Sequence, residues 1–344
     1  MTVTVKTLAK AAGVSRGTVD RVLHNRGSVK KELALKIKTL AKELGYVPNR
    51  AGRARSGIRE HYKIGIMLPS IGNAFFDGVI EGIEKACLEY EELGVEVILD
   101  KIQGYDEATH LKSIDELKKK GCSALCLATI DTPSVAEKIK ECELLGIKII
   151  LVNSDVSNSN RICYVGSDYI KAGKTCAGLL SLISKFEKLK ILVVTGSAFM
   201  KGHRQRIEGF ENELQNLNVN FEICAQIESN DSDIKAQIET TKYLTAHKDI
   251  NCVYVTGAGV QGVGAAIIAT GRDDIVGIAF DDIYTTVEMV RAGIFKFVIC
   301  QQPDRQGYHA VKRAYQILSG TVNEQAMTDF YTDTIIKIAS NIGK

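Results

Sequence analysis

From Tyr62 onward the chain alternates short apolar runs with segments of helical period, in two series of similar length. Repetition at that spacing leaves little choice beyond parallel sheets with helices on both faces. The first series reads as strand KIGIMLPS, a helix over 75–90, strand VEVILDKI, a helix over 108–119, strand ALCLATI, a helix over 135–145 and strand KIILVNS. The second reads as a helix over 170–186, KILVVTG, a helix over 204–214, FEICAQI, a helix over 234–246, CVYVTG, a helix over 262–270, DIVGIAF and a helix over 285–292. Two series imply two lobes, and ligands of such sheets bind at the carboxyl ends of the strands, facing the cleft between lobes. The residues at those ends are Asn73, Phe75 and Phe76 after the first strand, Asp131 after the third, and Asn153, Ser154 and Asp155 after the fourth. Asp281 and Asp282 end DIVGIAF, Gln301 follows FKFVIC, and Arg206 lies in the opening turn of a helix of the second series. Amides, carboxylates, one Arg and aromatic rings suit a polyhydroxyl ligand, whose hydroxyls pair bidentately and whose C–H faces stack on rings.

The first sixty residues are of another kind. Residues 1–59 hold seven Lys and seven Arg against Asp20, Glu32 and Glu43, a net charge of +11, whereas the remainder is net −8. A small basic module joined to a large acidic one points to nucleic-acid contact at one end only. Thr4 is placed to cap a helix with Val5, Leu8, Ala9 and Ala12 at helical spacing, Gly13 supplies a turn, and Ser15 caps a second helix over 16–23. On that helix Val19, Val22 and Leu23 share one face, with Arg16, Gly17, Asp20 and Arg21 on the other. A third helix runs from about Ser28 to Leu44 and stops at Gly45. The pattern is an all-α helix-turn-helix whose second helix presents its N-terminal residues to the major groove.

Other classes are excluded by composition. The nine cysteines form no C-x-x-C and sit mostly in apolar runs, so they read as buried free thiols of a reducing cytoplasm, with no metal or redox role. The longest apolar stretches are strand-sized, so no membrane span is expected. The N-terminus lacks the apolar core of a secretory signal, which argues against a stand-alone transport binding protein.

The N-terminal segment resembles the DNA-binding module of the lactose/galactose-repressor (LacI/GalR) family, through T-V-K-x-L-A, A-G-V-S, T-V-x-R-V-L, the following Asn25 and E-L-G-Y-x-P-N. The resemblance implies base readout at Arg16, Gly17 and Arg21, and phosphate contacts at Ser15, Thr18 and Asn25 that set register without reading sequence. Arg16 and Arg21 have the fork geometry for guanine O6 and N7. Gly17 offers no side chain to a base, and Asp20 stands where the family has a small polar residue, within i, i+4 reach of Arg16. The domain plan expected is 1–47 for DNA binding, 48–61 as hinge, and 62–344 for ligand binding and dimerisation. In the hinge Asn49, Arg53 and Arg55 are further DNA-contact candidates. The family's hinge helix inserts a Leu wedge into the minor groove, whereas this chain has Arg55 there and a helix-weakening Gly52.

The larger part is similar to the periplasmic sugar-binding fold, in its ribose-binding-like branch, across residues 62–330. P-S-I-G-N-A-F-F, Y-V-G-S-D-Y-x-x-A-G, R-I-E-G-F, F-D-D and Q-Q-P-D-R-Q-G carry that likeness. It implies sugar contacts at Asn73, Phe75, Phe76, Arg206, Asp281 and Gln301, and a further contact region in the loop 256–259. Asn153-Ser154 replace the branch's Asp-Arg pair, so only the ligand class follows, not ribose itself. Lobe 1 is expected over about 62–166 and 302–325, and lobe 2 over about 167–301 and 326–344, with crossings near 165–167, near 301 and near 323–328. Gly257, Gly259 and Gly262 fit G-x-G-x-x-G after a strand, with Asp281 24 residues beyond Gly257, a pattern shared with NAD-dependent enzymes. It comes late in the strand series and lacks a catalytic pairing among the six dispersed His. The expectation is therefore a cytoplasmic, homodimeric transcriptional regulator and not an enzyme, needing no cofactor. Its operator is double-stranded DNA and its effector a small molecule of the sugar class; a non-sugar effector such as a nucleoside is the alternative.

Arg cannot unstack a base step as an apolar wedge does, but it enters a narrow A·T-rich minor groove electrostatically. Operator bending should therefore be small and should increase in Arg55→Leu, while Arg55→Ala should lower the salt slope of binding by about 1. Circular-permutation gel shifts check this; a large wild-type bend unchanged in Arg55→Leu would overturn it.

Overall fold

The helical periods at the N-terminus fold as α1 (Val5–Ala12), α2 (Arg16–Leu23) and α3 (Lys31–Glu43) in a computed structural model that describes residues 5–23, 29–43 and 61–343. The chain divides into two units, Met1–Glu60 and His61–Lys344. In the first, Leu8, Ala9, Ala12, Val19, Val22 and Ile37 form a small core, with Val14, Leu33 and Leu40 packed against it. Gly13 adopts φ +69°, the left-handed conformation that turns α1 into α2. Ser15 Oγ accepts from the Thr18 N–H at 3.1 Å and so caps α2. The third helix begins at Lys31, later than expected, with the Ala34 N–H bonded to Lys30 O. Thr4, Asn25, Ser28, Leu44, Gly45 and the hinge with Asn49, Arg53 and Arg55 lie outside the described residues, as does the Asp20 side chain.

The second unit holds two six-stranded sheets. One contains β1 (Tyr62–Ile71), β2 (Val95–Gln103), β3 (Ala124–Leu127), β4 (Lys148–Val152), β5 (Cys163–Gly166) and β11 (Phe330–Tyr331), in the order β11-β5-β4-β3-β1-β2. The other contains β6 (Leu189–Thr195), β7 (Phe221–Glu228), β8 (Cys252–Val255), β9 (Val276–Phe280), β10 (Phe295–Cys300) and β12 (Ile335–Lys337), in the order β12-β10-β9-β8-β6-β7. All pairings are parallel except β10 with β12. The helices α4 (Phe75–Tyr90), α5 (Glu107–Lys119), α6 (Pro133–Leu144) and α12 (Pro303–Leu318) belong with the first sheet. With the second belong α7 (Tyr169–Ile183), α8 (Lys201–Asn216), α9 (Asp233–Ala246), α10 (Val260–Ala269) and α11 (Tyr284–Arg291). An apolar core lies on each face of each sheet.

Element boundaries fall within three residues of those expected, but β5, α12, β11 and β12 are additions. The third crossing differs too. The chain leaves the first sheet not near 323–328 but after β11, because Phe330 and Tyr331 pair with Val165 and Gly166. Asp329 anchors that return, accepting from the Tyr164 N–H at 2.8 Å and from Arg161 Nη1 at 2.7 Å. Lobe 1 thus extends beyond residue 325; a two-residue strand is too short to leave a period in the sequence. The cysteines of this unit are free and mostly buried, and among the described residues no helix is long and apolar enough to cross a membrane.

Helices α7 and α8 pack backbone to backbone. A Cβ on Gly173 would lie 2.1 Å from Arg206 O, and one on Gly209 would lie 2.2 Å from Ile170 O. This contact sets the height of Arg206 above the second sheet. Gly173→Ala should push α8 away at a cost of about 1–3 kcal/mol, read as a lowered urea midpoint; an unchanged midpoint would mean that the helices separate freely.

Candidate functional site

The carboxyl ends of both sheets meet around one cavity. After β1, Gly72 turns with φ +86° and Asn73 Oδ1 accepts from the Phe75 N–H at 3.1 Å, setting Phe75 and Phe76 at the start of α4. These two rings meet edge to face at 5.3 Å. Asn153 after β4 and Asp281 after β9 both take left-handed φ values, +61° and +64°, which short polar side chains tolerate better than most. Their side chains thereby leave the strand direction at the cleft. Gln306 of α12 braces the floor, accepting from Asn153 Nδ2 at 3.2 Å and donating to Gln301 O at 3.1 Å.

Arg206 is the central cation. It is 3% exposed, with its guanidinium 3.6 Å from the Phe280 ring centroid and 4.9 Å from that of Tyr169. Nη1 donates to Thr256 O at 2.6 Å, while Nε and Nη2 have no protein partner. Gln301 Nε2 donates to both Asp281 oxygens at 3.0 and 2.8 Å, leaving Gln301 Oε1 unpartnered, as is the buried Ser154 Oγ. Burial raises the Asp281 carboxyl to about 6, although the Arg206 charge and the Gln301 hydrogen bond pull it down. Unpaired buried donors beside unpaired buried acceptors cost stability unless a ligand satisfies them.

Eight of the nine expected ligand residues line this cavity: Asn73, Phe75, Phe76, Asn153, Ser154, Arg206, Asp281 and Gln301. Asp131 does not. Its carboxylate accepts from Ser157 N at 2.7 Å and Ser157 Oγ at 3.0 Å and is paired with Arg204 of the other lobe, so it closes the rim instead. Asp131 N also donates to Phe199 O across the cleft at 2.8 Å, and Lys201 reaches Asp155 at 3.4 Å. The cavity encloses about 50 Å³, where one water needs roughly 10–15 Å³.

Several participants were missed. Tyr105, His203 and Ala258 line the cavity, and Asp231 stands behind them, accepting from Asn73 Nδ2 at 2.8 Å, from Ala258 N at 3.0 Å and from the Tyr105 hydroxyl. Burial, and then the Asp231 charge, lift the Tyr105 phenol well above its ordinary value. His203 accepts from the Ser197 N–H at Nδ1, and burial lowers its imidazole to about 4. Asp231 and Tyr105 follow β7 and β2, so the strand-end rule that found the others would have found them. The glycine loop has packing reasons: Gly257 meets Gly196, Gly259 caps α10 with φ +97°, and a Cβ on Gly262 would lie 1.9 Å from Asp233 O. Asp281, the acid of the dinucleotide reading, is engaged by Gln301 at the cavity. Of the DNA-contact candidates described, Ser15, Arg16, Gly17 and Arg21 are exposed, and Thr18 is half-buried, whereas Val19 and Val22 are buried in the small core.

Residues 64–321 match the periplasmic binding protein domain family, and residues 4–49 match the bacterial regulatory proteins of the lacI family. Among curated proteins, the ribose import binding protein of Bacillus subtilis (strain 168) is 25% identical over 276 residues, spanning 79% of this chain and 87% of that protein. The HTH-type transcriptional regulator DegA of the same organism is 26% identical over 292 residues, 82% of each chain. Among solved structures, a glucose-galactose binding protein from Geobacillus stearothermophilus superposes with a TM-score of 0.75 at 22% identity, covering 82% of this chain and 99% of that one.

A carboxyl whose folded pKa exceeds its unfolded value supports folding in acid and loses that contribution as pH rises through the folded value. For Asp281 that value is about 6. The melting temperature of Asp281→Asn relative to wild type should therefore climb between about pH 4 and about pH 6.5 and level off above that. Thermal melts across that range check it; a pH-independent difference would contradict the raised carboxyl.

Proposed function

The chain belongs to the bacterial regulatory proteins of the lacI family, with a periplasmic binding protein domain behind its DNA-binding helices, and from that premise we propose that a sugar held between the two lobes controls its affinity for operator DNA. It is a regulator and not an enzyme. The observation that carries the effector reading is Arg206: a buried guanidinium stacked on Phe280, with Nε and Nη2 unpartnered, among strand ends from both lobes. Those two nitrogens donate to ligand hydroxyls, Gln301 Oε1 and Asp281 accept from others, and Phe75 and Phe76 cover the C–H face. The names of several similar proteins support the class, since they bind or import ribose, glucose and galactose, or D-arabinose.

The ligand acts through the rim. Asp131 with Arg204 and Asp155 with Lys201 join the lobes only when they are closed, so a ligand that bridges the cleft stabilises that arrangement. It shifts operator affinity only by its difference in affinity for the two arrangements. The protein works in the cytoplasm as a homodimer, which presents two equal copies of α2 to an approximately palindromic operator. Arg16 and Arg21 read bases, Ser15, Thr18 and Asn25 hold phosphates, Gly17 allows close backbone approach, and Asn49, Arg53 and Arg55 continue the contact along the hinge.

Gel shifts on the cognate operator, with and without a bound monosaccharide found by thermal shift, test both halves. Arg206→Ala should abolish the response while leaving operator binding near normal. Arg21→Ala should cost about 1–3 kcal/mol and relax preference at one base position. A normal ligand response in Arg206→Ala would overturn the cleft assignment, and an equal loss on all sequences would make Arg21 a phosphate contact.

A further inference from the structure

We propose that the effector carries a protonated amino group, and that the Asp231 carboxylate is the residue that selects it over neutral and acidic sugars. The inference rests on the sugar reading of the cleft and adds which chemical class of sugar it takes: an amino sugar or aminocyclitol.

The charges around the cleft do not balance. Arg206 is the cation lining the cavity among the described residues. His203 beside it is held neutral at physiological pH by burial. Two carboxylates oppose that single charge, Asp281 on the wall and Asp231 directly behind Asn73, Tyr105 and Ala258. The acids of the rim are already matched: Asp131 by Arg204, Asp155 by Arg161 and Lys201, and Asp282 by Lys337. The cleft is thus left with one uncompensated negative charge, in a space from which lobe closure removes water. Burying such a charge is costly unless it is paired. A neutral sugar buries it unpaired, and a uronic or aldonic acid adds a second. An ammonium group brings the closed site to neutrality.

Hydrogen-bonding capacity agrees with the ledger. Asp231 accepts three hydrogen bonds, from Asn73, Tyr105 and Ala258, and an ionised carboxylate has about four acceptor positions. Asp281 accepts from a single donor group, the Gln301 amide, and keeps acceptor positions on the cavity side. On the same wall Arg206 Nε and Nη2 remain for hydroxyls. A ligand with one ammonium and several hydroxyls satisfies both kinds of group, while a simple amine leaves Arg206 unpaired.

The test is calorimetric titration of the full-length protein with matched sets: D-glucosamine, D-galactosamine and D-mannosamine, each beside its parent hexose, its N-acetyl derivative and the corresponding uronic acid. At least one amine should bind about tenfold or more tightly than its parent and its N-acetyl derivative, and in Asp231→Asn that ratio should fall toward one. The wild-type ratios decide the ligand class even where Asp231→Asn does not fold. A parent hexose or uronic acid binding as tightly as the amine would overturn the inference and leave the sugar reading intact. An amine preference that persists in a folded Asp231→Asn would overturn the assignment to Asp231. Binding by no member of the panel would overturn the sugar reading together with the inference.

Discussion

The site depends on the parallel course of its strands. Because β1, β3 and β4 run the same way, as do β8, β9 and β10, each sheet gathers its carboxyl ends on one edge. The chain then crosses three times, after β5, after β10 and after β11, and so holds those two edges opposite each other. Strand ends contribute polar residues at sharp turns, and those after β4, β7, β9 and β10 take left-handed backbone, at Asn153, at Asn230 and Asp231, at Asp281 and at Gln302. Antiparallel sheets would have sent half of these residues to the far side.

The polar groups of the cleft divide into those that join the lobes and those left with unpartnered atoms in the cavity. Tyr169 of lobe 2 donates to Asn153 O of lobe 1 at 2.5 Å, and Asp231 takes Asn73 and Tyr105 across the cleft. These bonds join the lobes, although in Asp231 they leave the charge without a cation partner. Arg206, Gln301 and Ser154 keep atoms with no partner. A buried donor without a partner favours whatever state supplies one. Closure and recognition thereby share a wall: Asn73 joins the lobes through Nδ2 and orders the Phe75–Phe76 pair through Oδ1.

Residue type alone does not say where a carboxylate points. Asp131 and Asp281 both follow strands, and the sequence treats them alike. In the folded chain Asp131 finds the Ser157 N–H and Arg204 within reach and turns to the rim, whereas Asp281 meets Gln301 and stays in the cavity. Asp231 is the converse case, a strand-end acid three residues past β7 that the sequence shows as plainly as the others, but whose place beside the cavity rests on Asn73 and Tyr105 of the other lobe.

The alternation of strand and helix periods, the basic first sixty residues and the spacing of α2 were all legible in the sequence, because each depends on neighbours along the chain. So was most of the cavity wall, since strand ends are local features that the parallel fold always brings together. Tertiary structure alone decided four things: the short strands β5, β11 and β12, the late third crossing, the turning of Asp131 to the rim, and the charge left over once the rim acids had found their cations. Each of these is settled by a partner more than a dozen residues away, as Asp329 is by Arg161 and Asp131 by Arg204. A pairing made across such a distance is chosen by the geometry of the packed chain, and leaves no period or motif at either end.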